Sequence, residues 1–281
     1  ISGTKGSGAV FFSGCSMHCV FCQNQEIAQG VSGKEISRER LVEIFMELQE
    51  QGANNINLVT PTHYVPHIAW ALERAKCQGL RVPVVYNTSS YEKVETLKRL
   101  EGLVDVYLPD FKYLDHNHAK KYSMAEDYPE VAKQALAEMV RQCGKAVFDE
   151  NDMMKKGVIV RHLLLPGHLK NAKSVVQYVY ETYGDNVYLS LMNQYTPFPQ
   201  VKDYPEINRR VTEAEYEELV DYAIDLGVEH GFIQEGETAE ESADVEETFS
   251  EGQQSLFGEL DELTLESEPY RITFKYDGGI S

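Results

Sequence analysis

The chain has 281 residues, 42% of them hydrophobic and 25% charged, which is enough for one large domain with a buried core, or two at most. Its formal net charge of −19 argues against nucleic acid as a partner, because phosphate contact needs an excess of Lys and Arg. No apolar run of about 18 residues is present and no signal-peptide pattern opens the sequence, so no membrane partner is expected. Between Glu235 and Glu268 there are thirteen acidic residues and no Lys or Arg, so that stretch carries most of the charge.

In chain order, short apolar runs alternate with amphipathic windows. The first strand is expected at Ala9–Phe12 and runs into a loop that contains Cys15, Cys19 and Cys22. A helix follows from the Ser37 N-cap to Gly52, with Leu41, Ile44, Phe45 and Leu48 on one face. Further strands are expected at Asn55–Thr60, Val82–Thr88, Val104–Tyr113, Gly157–Gly167 and Asn186–Asn193. The intervening helices are expected near 66–77, 90–100, 129–143 and 169–183, with a last one near 212–227.

Six βα units in succession imply an α/β fold with parallel strands and right-handed crossovers. A doubly wound open sheet and a complete or partial β/α barrel both satisfy that pattern. Either one places its ligand site at the carboxyl ends of the strands. Polar, chemically able residues are expected there: the cysteine loop, Thr60–Tyr64, Asn87–Ser90, Pro109–Lys112, Pro166–His168 and Asn193–Tyr195. In any one loop such residues are also ordinary turn formers. It is their recurrence at all six strand ends that points to a site.

After about residue 236 the chain changes character. Residues 237–268 are expected to be an acidic, disordered linker, too poor in apolar groups to offset the entropy of ordering. Residues 269–281 alternate like a strand at Tyr270, Ile272, Phe274 and Tyr276. An edge strand and a disordered tail are both open readings there.

The five cysteines do not read as a disulfide framework, since three are clustered and Cys77 and Cys143 lie apart in helical windows. Clustered thiols without a leader suit a reducing compartment, so a cytoplasmic location is expected. The spacing C-x3-C-x2-C offers three soft ligands. An iron–sulfur cluster uses such a set and keeps one iron open to a small molecule. A structural zinc site is the competing reading, with His18, Cys77 or Cys143 as the fourth ligand.

The segment "GCSMHCVFC" resembles the C-x3-C-x-aromatic-C signature of radical S-adenosylmethionine enzymes, with Phe21 at the aromatic position. "CVFCQNQEIAQG" is similar to the branch related to pyruvate formate-lyase activating enzymes. "TPTHY", "YLPDFKY", "RHLLLPG" and "FIQEGET" resemble a less characterised group within that branch. The resemblance spans about residues 1–242.

It implies an incomplete (β/α)6 barrel, with Cys15, Cys19 and Cys22 as ligands of a [4Fe–4S] cluster and S-adenosylmethionine chelating the open iron. Reductive cleavage would give methionine and a 5′-deoxyadenosyl radical, which abstracts hydrogen from the substrate. The implied substrate is a protein or peptide, a glycyl-radical partner among them, with a small molecule as the alternative. The implied electron donor is a low-potential flavodoxin or ferredoxin. Phe21 would lie near the adenine. Asp110 and Lys112 match an Asp-x-Lys motif, so Lys112 would pair with the methionine carboxylate while Asp110 binds a cation or shapes the site. Asn87 stands in a polar turn where the family has an acid. The usual Gly-Gly-Glu that receives the S-adenosylmethionine amine is missing; "TPTH" takes its place, so Thr60, Thr62 or His63 is expected to make that contact.

Overall fold

The structure is a computed structural model and describes residues 1, 6–233 and 270–273. Strand β1 (Gly8–Phe12) turns Val10 and Phe12 into the core. At Gly8 a Cβ would lie 3.0 Å from the Leu48 Cβ and 3.2 Å from the Asn55 carbonyl. The close approach of the first long helix therefore needs glycine there. A single helical turn, α1 (Gln25–Ala28), and the two-residue strand β2 (Lys34–Glu35) come next. Helix α2 (Arg38–Glu50) starts where the Ser37 hydroxyl accepts from the Arg40 amide, and it buries the expected face.

Strand β3 (Ile56–Val59) is buried on both faces, as parallel strands between layers are. It leads through a 3₁₀ turn at Thr62–Tyr64 into α3 (Val65–Cys77). Strand β4 (Val84–Thr88) precedes α4 (Val94–Lys98), which is much shorter than the window expected at 90–100. The reason is Glu92, whose side chain is drawn into the interior before the helix begins. Strand β5 (Val106–Pro109) is followed by α5 (His116–Ser123), capped by the Asp115 carboxylate on the Asn117 and His118 amides. No helix is expected here from the sequence, because the segment is only eight residues long and mostly polar.

Helix α6 (Tyr128–Cys143) leads to β6 (Val147–Phe148), which pairs antiparallel with β7 (Met154–Leu163). That short hairpin lets the fifth main strand begin and end earlier than the expected 157–167. Helix α7 (Leu169–Tyr183), strand β8 (Tyr188–Met192), helix α8 (Glu213–Leu226) and strand β9 (Gly231–Ile233) complete the series. A reciprocal capping box between Thr212 and Glu215 starts α8. Strand β10 (Tyr270–Thr273) lies parallel to β1, between it and β2, rather than at the edge. The expected linker at 237–268 lies outside the described residues, as does the rest of the tail beyond 273.

The sheet runs β2-β10-β1-β3-β4-β5-β7-β8-β9 and is parallel throughout this path. It does not close on itself, so the fold is an incomplete β/α barrel. One apolar layer joins the sheet to its helices, and a smaller one, built on Val85, Val106, Leu108, Met154 and Ile159, fills the inner face. Among the described residues no helix is long and apolar enough to cross a membrane.

Candidate active site

All six main strands point the same way, so their carboxyl ends share one rim of the sheet. The cysteine loop leaves β1 at this rim. Gly14 turns it with φ of +92°, and the His63 ring lies near the space its missing side chain leaves, at 3.6 Å. The loop is held by backbone bonds. Gly14 donates to the Ile27 carbonyl at 2.7 Å, His18 to Ser123 at 3.3 Å and Val20 to Tyr122 at 2.9 Å. The last two acceptors are carbonyls of the final turn of α5, which helix geometry leaves without intrahelical partners. The Tyr64 hydroxyl adds a bond to the Ser13 carbonyl at 2.7 Å.

Cys15, Cys19 and Cys22 are all free thiols and partly buried. Burial pushes each of them up, Cys22 to about 11; neighbouring thiols add to the effect at Cys15 and Cys22, and Asp110 adds to it at Cys19. The ammonium of Lys112 acts in the opposite direction on all three. The Cys15 sulfur accepts from the Met17 amide at 3.4 Å, and the Cys19 sulfur accepts from the Ser123 hydroxyl at 3.0 Å. Phe21 is buried beneath the loop, with its ring centroid 6.1 Å from that of Tyr195.

The two remaining cysteines do not join this set. Cys77 ends α3 and is exposed, and Cys143 ends α6, where its thiol donates to the Asp105 carbonyl at 3.4 Å. Both helices end at the opposite rim, just before β4 and β6 respectively. Among the described residues no three His, Cys, Asp or Glu side chains converge on a single ion. Neither Cys77 nor Cys143 is therefore placed to be a fourth ligand at the loop. Three thiolates of soft character, with no fourth cysteine at hand, fit a cluster that has one iron free of protein ligands.

Facing the cysteines, the end of β5 carries Asp110 and Lys112. Lys112 Nζ donates to Asp110 Oδ2 at 2.7 Å, and Arg161 Nη2 of β7 pairs with Asp110 Oδ1 at 2.6 Å. Arg161 also donates to the Asn87 side-chain oxygen at 2.7 Å. Burial opposes ionisation of Asp110, but Arg161 and Lys112 outweigh it and hold its carboxyl below the usual range. Burial likewise opposes charge on Lys112, and Asp110 outweighs it, so the ammonium is held above its ordinary value. The phenol of Tyr128 fixes the turn by bonding the Asp110 carbonyl at 2.7 Å and the Lys112 amide at 2.9 Å. With both its oxygens turned to cations, Asp110 shapes the site rather than offering a free carboxylate. His162, the next residue after Arg161, turns to the other face and donates through Nδ1 to the Phe111 carbonyl at 2.7 Å.

The Thr62 hydroxyl donates to Glu92 Oε1 at 2.7 Å. Thr88 and Tyr86 donate to the same oxygen at 2.7 and 3.1 Å. Glu92 is fully buried, and burial raises its pKa against the three hydroxyls. It ties the loop after β3 to the end of β4. Thr60 stands in the left-handed region at φ of +56°, and His63 is exposed beside the cysteine loop. The sequence reading missed Glu92, Ser123 and Arg161's partnership with Asp110. Glu92 lay inside an apparent helix, and Ser123 touches Cys19 only because α5 exists.

The fold and the three-thiol loop define a class that the comparisons bear out. The family model for the radical SAM superfamily matches residues 9–167, more than half of the chain, so the protein belongs to the radical SAM superfamily. Its cofactors are accordingly a [4Fe–4S] cluster and S-adenosylmethionine. It is 31% identical over 228 residues to the uncharacterized protein MJ0674 of Methanocaldococcus jannaschii, covering 77% of this chain and 62% of that one. It resembles the structure of Streptococcus suis SuiB bound to its precursor peptide SuiA, with a TM-score of 0.55 and 14% identity, over 84% of this chain and 51% of SuiB. The hydrogenase maturase HydG of Carboxydothermus hydrogenoformans gives a TM-score of 0.54 and 12% identity, over 86% of this chain and 57% of HydG. The chain thus spans between half and two thirds of the length of these relatives.

Proposed function

We propose that the protein is a radical S-adenosylmethionine enzyme that abstracts hydrogen from a protein or peptide substrate, in the manner of an activating enzyme. Cys15, Cys19 and Cys22 hold the cluster. Lys112 receives the methionine carboxylate of S-adenosylmethionine, its charge kept by Asp110 and its position by Tyr128. Phe21 packs beside the adenine, and Asn87 orients Arg161 against Asp110. His63, beside Gly14 at the start of the cysteine loop, is the candidate partner of the amine. When bound, the cluster and S-adenosylmethionine supply, with one electron from a donor such as a flavodoxin or ferredoxin, a 5′-deoxyadenosyl radical that takes a hydrogen atom from the substrate.

The observation that carries this reading is the convergence, on one rim, of a three-thiol loop with no fourth cysteine and a buried Lys–Asp–Arg group. The preference for a polypeptide rests on the open sheet, which leaves the barrel unclosed between β2 and β9. SuiB, which shares the fold, is described with a peptide bound.

The test is to reconstitute the protein anaerobically, reduce it, and follow 5′-deoxyadenosine with the polypeptide or the small-molecule fraction of a cell extract. Stimulation by the polypeptide fraction supports the reading. Stimulation by the small-molecule fraction alone would transfer the activity to a small substrate.

A further inference from the structure

Ser123 occupies an unusual position at the end of α5. Its carbonyl accepts from the His18 amide at 3.3 Å and its hydroxyl donates to the Cys19 sulfur at 3.0 Å. The residue therefore holds the cysteine loop by both its backbone and its side chain. Ser123 is buried, so water does not compete for the hydroxyl. A serine hydroxyl has one hydrogen. With that hydrogen on Cys19, the second contact of Ser123 Oγ, to the Tyr113 hydroxyl at 3.0 Å, must be accepted from Tyr113. Tyr113 is also buried, its ring edge-on to Tyr128 at 5.6 Å. Tyr128 in turn bonds the turn that carries Lys112. The result is a directed chain, Tyr113 to Ser123 to Cys19, anchored in the same aromatic cluster that fixes the β5 turn.

A thiolate on a metal cluster gains electron density when the cluster is reduced. Hydrogen bonds to its sulfur then strengthen, and the reduction potential rises. Cys19 is the only one of the three thiols for which a side-chain donor is seen among the described residues; the bond to Cys15 comes from a backbone amide. We propose that Ser123 is a positioning residue that tunes the cluster, donating to the Cys19 thiolate with a hydroxyl oriented by Tyr113, and so makes the cluster easier to reduce. The inference rests on the reading of Cys19 as a cluster ligand.

The experiment is a redox titration of the reconstituted protein without substrate, followed by the spectrum of the reduced cluster. Iron and sulfide content are measured first. If the wild type takes up no cluster, the reading of the three cysteines fails, and the inference falls with it. With the cluster present, Ser123→Ala is expected to lower the midpoint, so that the reduced-to-oxidised ratio at a fixed potential falls about tenfold, equal to about 59 mV for one electron. Ser123→Thr, which retains a hydroxyl, is expected to recover most of that loss. Tyr113→Phe, which leaves Ser123 in place but frees its rotation, is expected to shift the midpoint in the same direction by less. A Ser123→Ala midpoint equal to or above that of the wild type would overturn the proposal. Should Ser123→Ala fail to retain iron, Tyr113→Phe decides the matter, and an unchanged midpoint there overturns it.

Discussion

Lys112 Nζ lies 2.7 Å from Asp110 Oδ2, two residues away on the same strand end, while Arg161 approaches the other oxygen at 2.6 Å from a different strand. One carboxylate thus holds two cations in a largely buried setting. Removing it leaves both without their counter-charge. Asp110→Ala is expected to lower stability by about 3–5 kcal/mol, measured by urea unfolding near neutral pH. A loss well under 1 kcal/mol would show that water already screens the group.

Lys112 has a second role in this account, as the partner of a ligand carboxylate. A charge-assisted hydrogen bond removed from a binding site costs about 1.5–3 kcal/mol, or roughly ten- to a hundredfold in affinity. Lys112→Ala is expected to weaken S-adenosylmethionine binding by that factor in equilibrium dialysis of the reconstituted protein, with iron content unchanged. Equal affinity in the variant and the wild type would remove Lys112 from the site.

Glu92 ties two strand ends together through Thr62, Thr88 and Tyr86. Glu92→Ala leaves three hydroxyls, those of buried Tyr86 and Thr88 and partly buried Thr62, short of an acceptor and is expected to cost about 3 kcal/mol. Glu92→Gln keeps an acceptor oxygen and removes the buried charge. Because burial raises the folded pKa of Glu92, its contribution to stability is full below the unfolded value of 4.5 and falls as pH rises through the folded value. The glutamine variant is therefore expected to be at least as stable as the wild type at neutral pH. Denaturant midpoints of the three proteins check both statements.

His162 gives a pH dependence of the opposite sign. Burial lowers its pKa from 6.5 to about 4, against the bond to Phe111. The neutral ring is favoured in the folded state, so its contribution is full above pH 6.5 and is lost as pH falls toward 4. The loss is on the order of 3 kcal/mol. In His162→Gln this part of the pH–stability profile is expected to flatten. An unaltered slope would place the titration elsewhere.

The β/α order was legible because each buried strand and amphipathic helix carries its own period, as in Asn55–Thr60 and Leu41–Leu48. The cysteine loop was legible because its ligands are neighbours in sequence. What the sequence concealed were contacts closed by tertiary structure. Glu92 looks like a helical surface residue until Thr62 and Tyr86 surround it. Ser123 meets Cys19 across 104 positions, on a short and mostly polar helix. Strand alternation alone puts Arg161 and His162 on opposite sides, but only the register between β5 and β7 brings Arg161 to Asp110. The departure at "TPTH" was visible at once, whereas the turning of Thr62 toward Glu92 was not.

The central claim is that the three-thiol loop supports cleavage of S-adenosylmethionine. The most direct measurement is 5′-deoxyadenosine formed by the anaerobically reconstituted and reduced protein, set beside a Cys19→Ala variant treated in the same way. The account predicts product from the wild type and none from the variant, together with loss of cluster iron in the variant. Absence of product from a wild type that purifies with tetrahedral zinc, or equal product from both proteins, would contradict it.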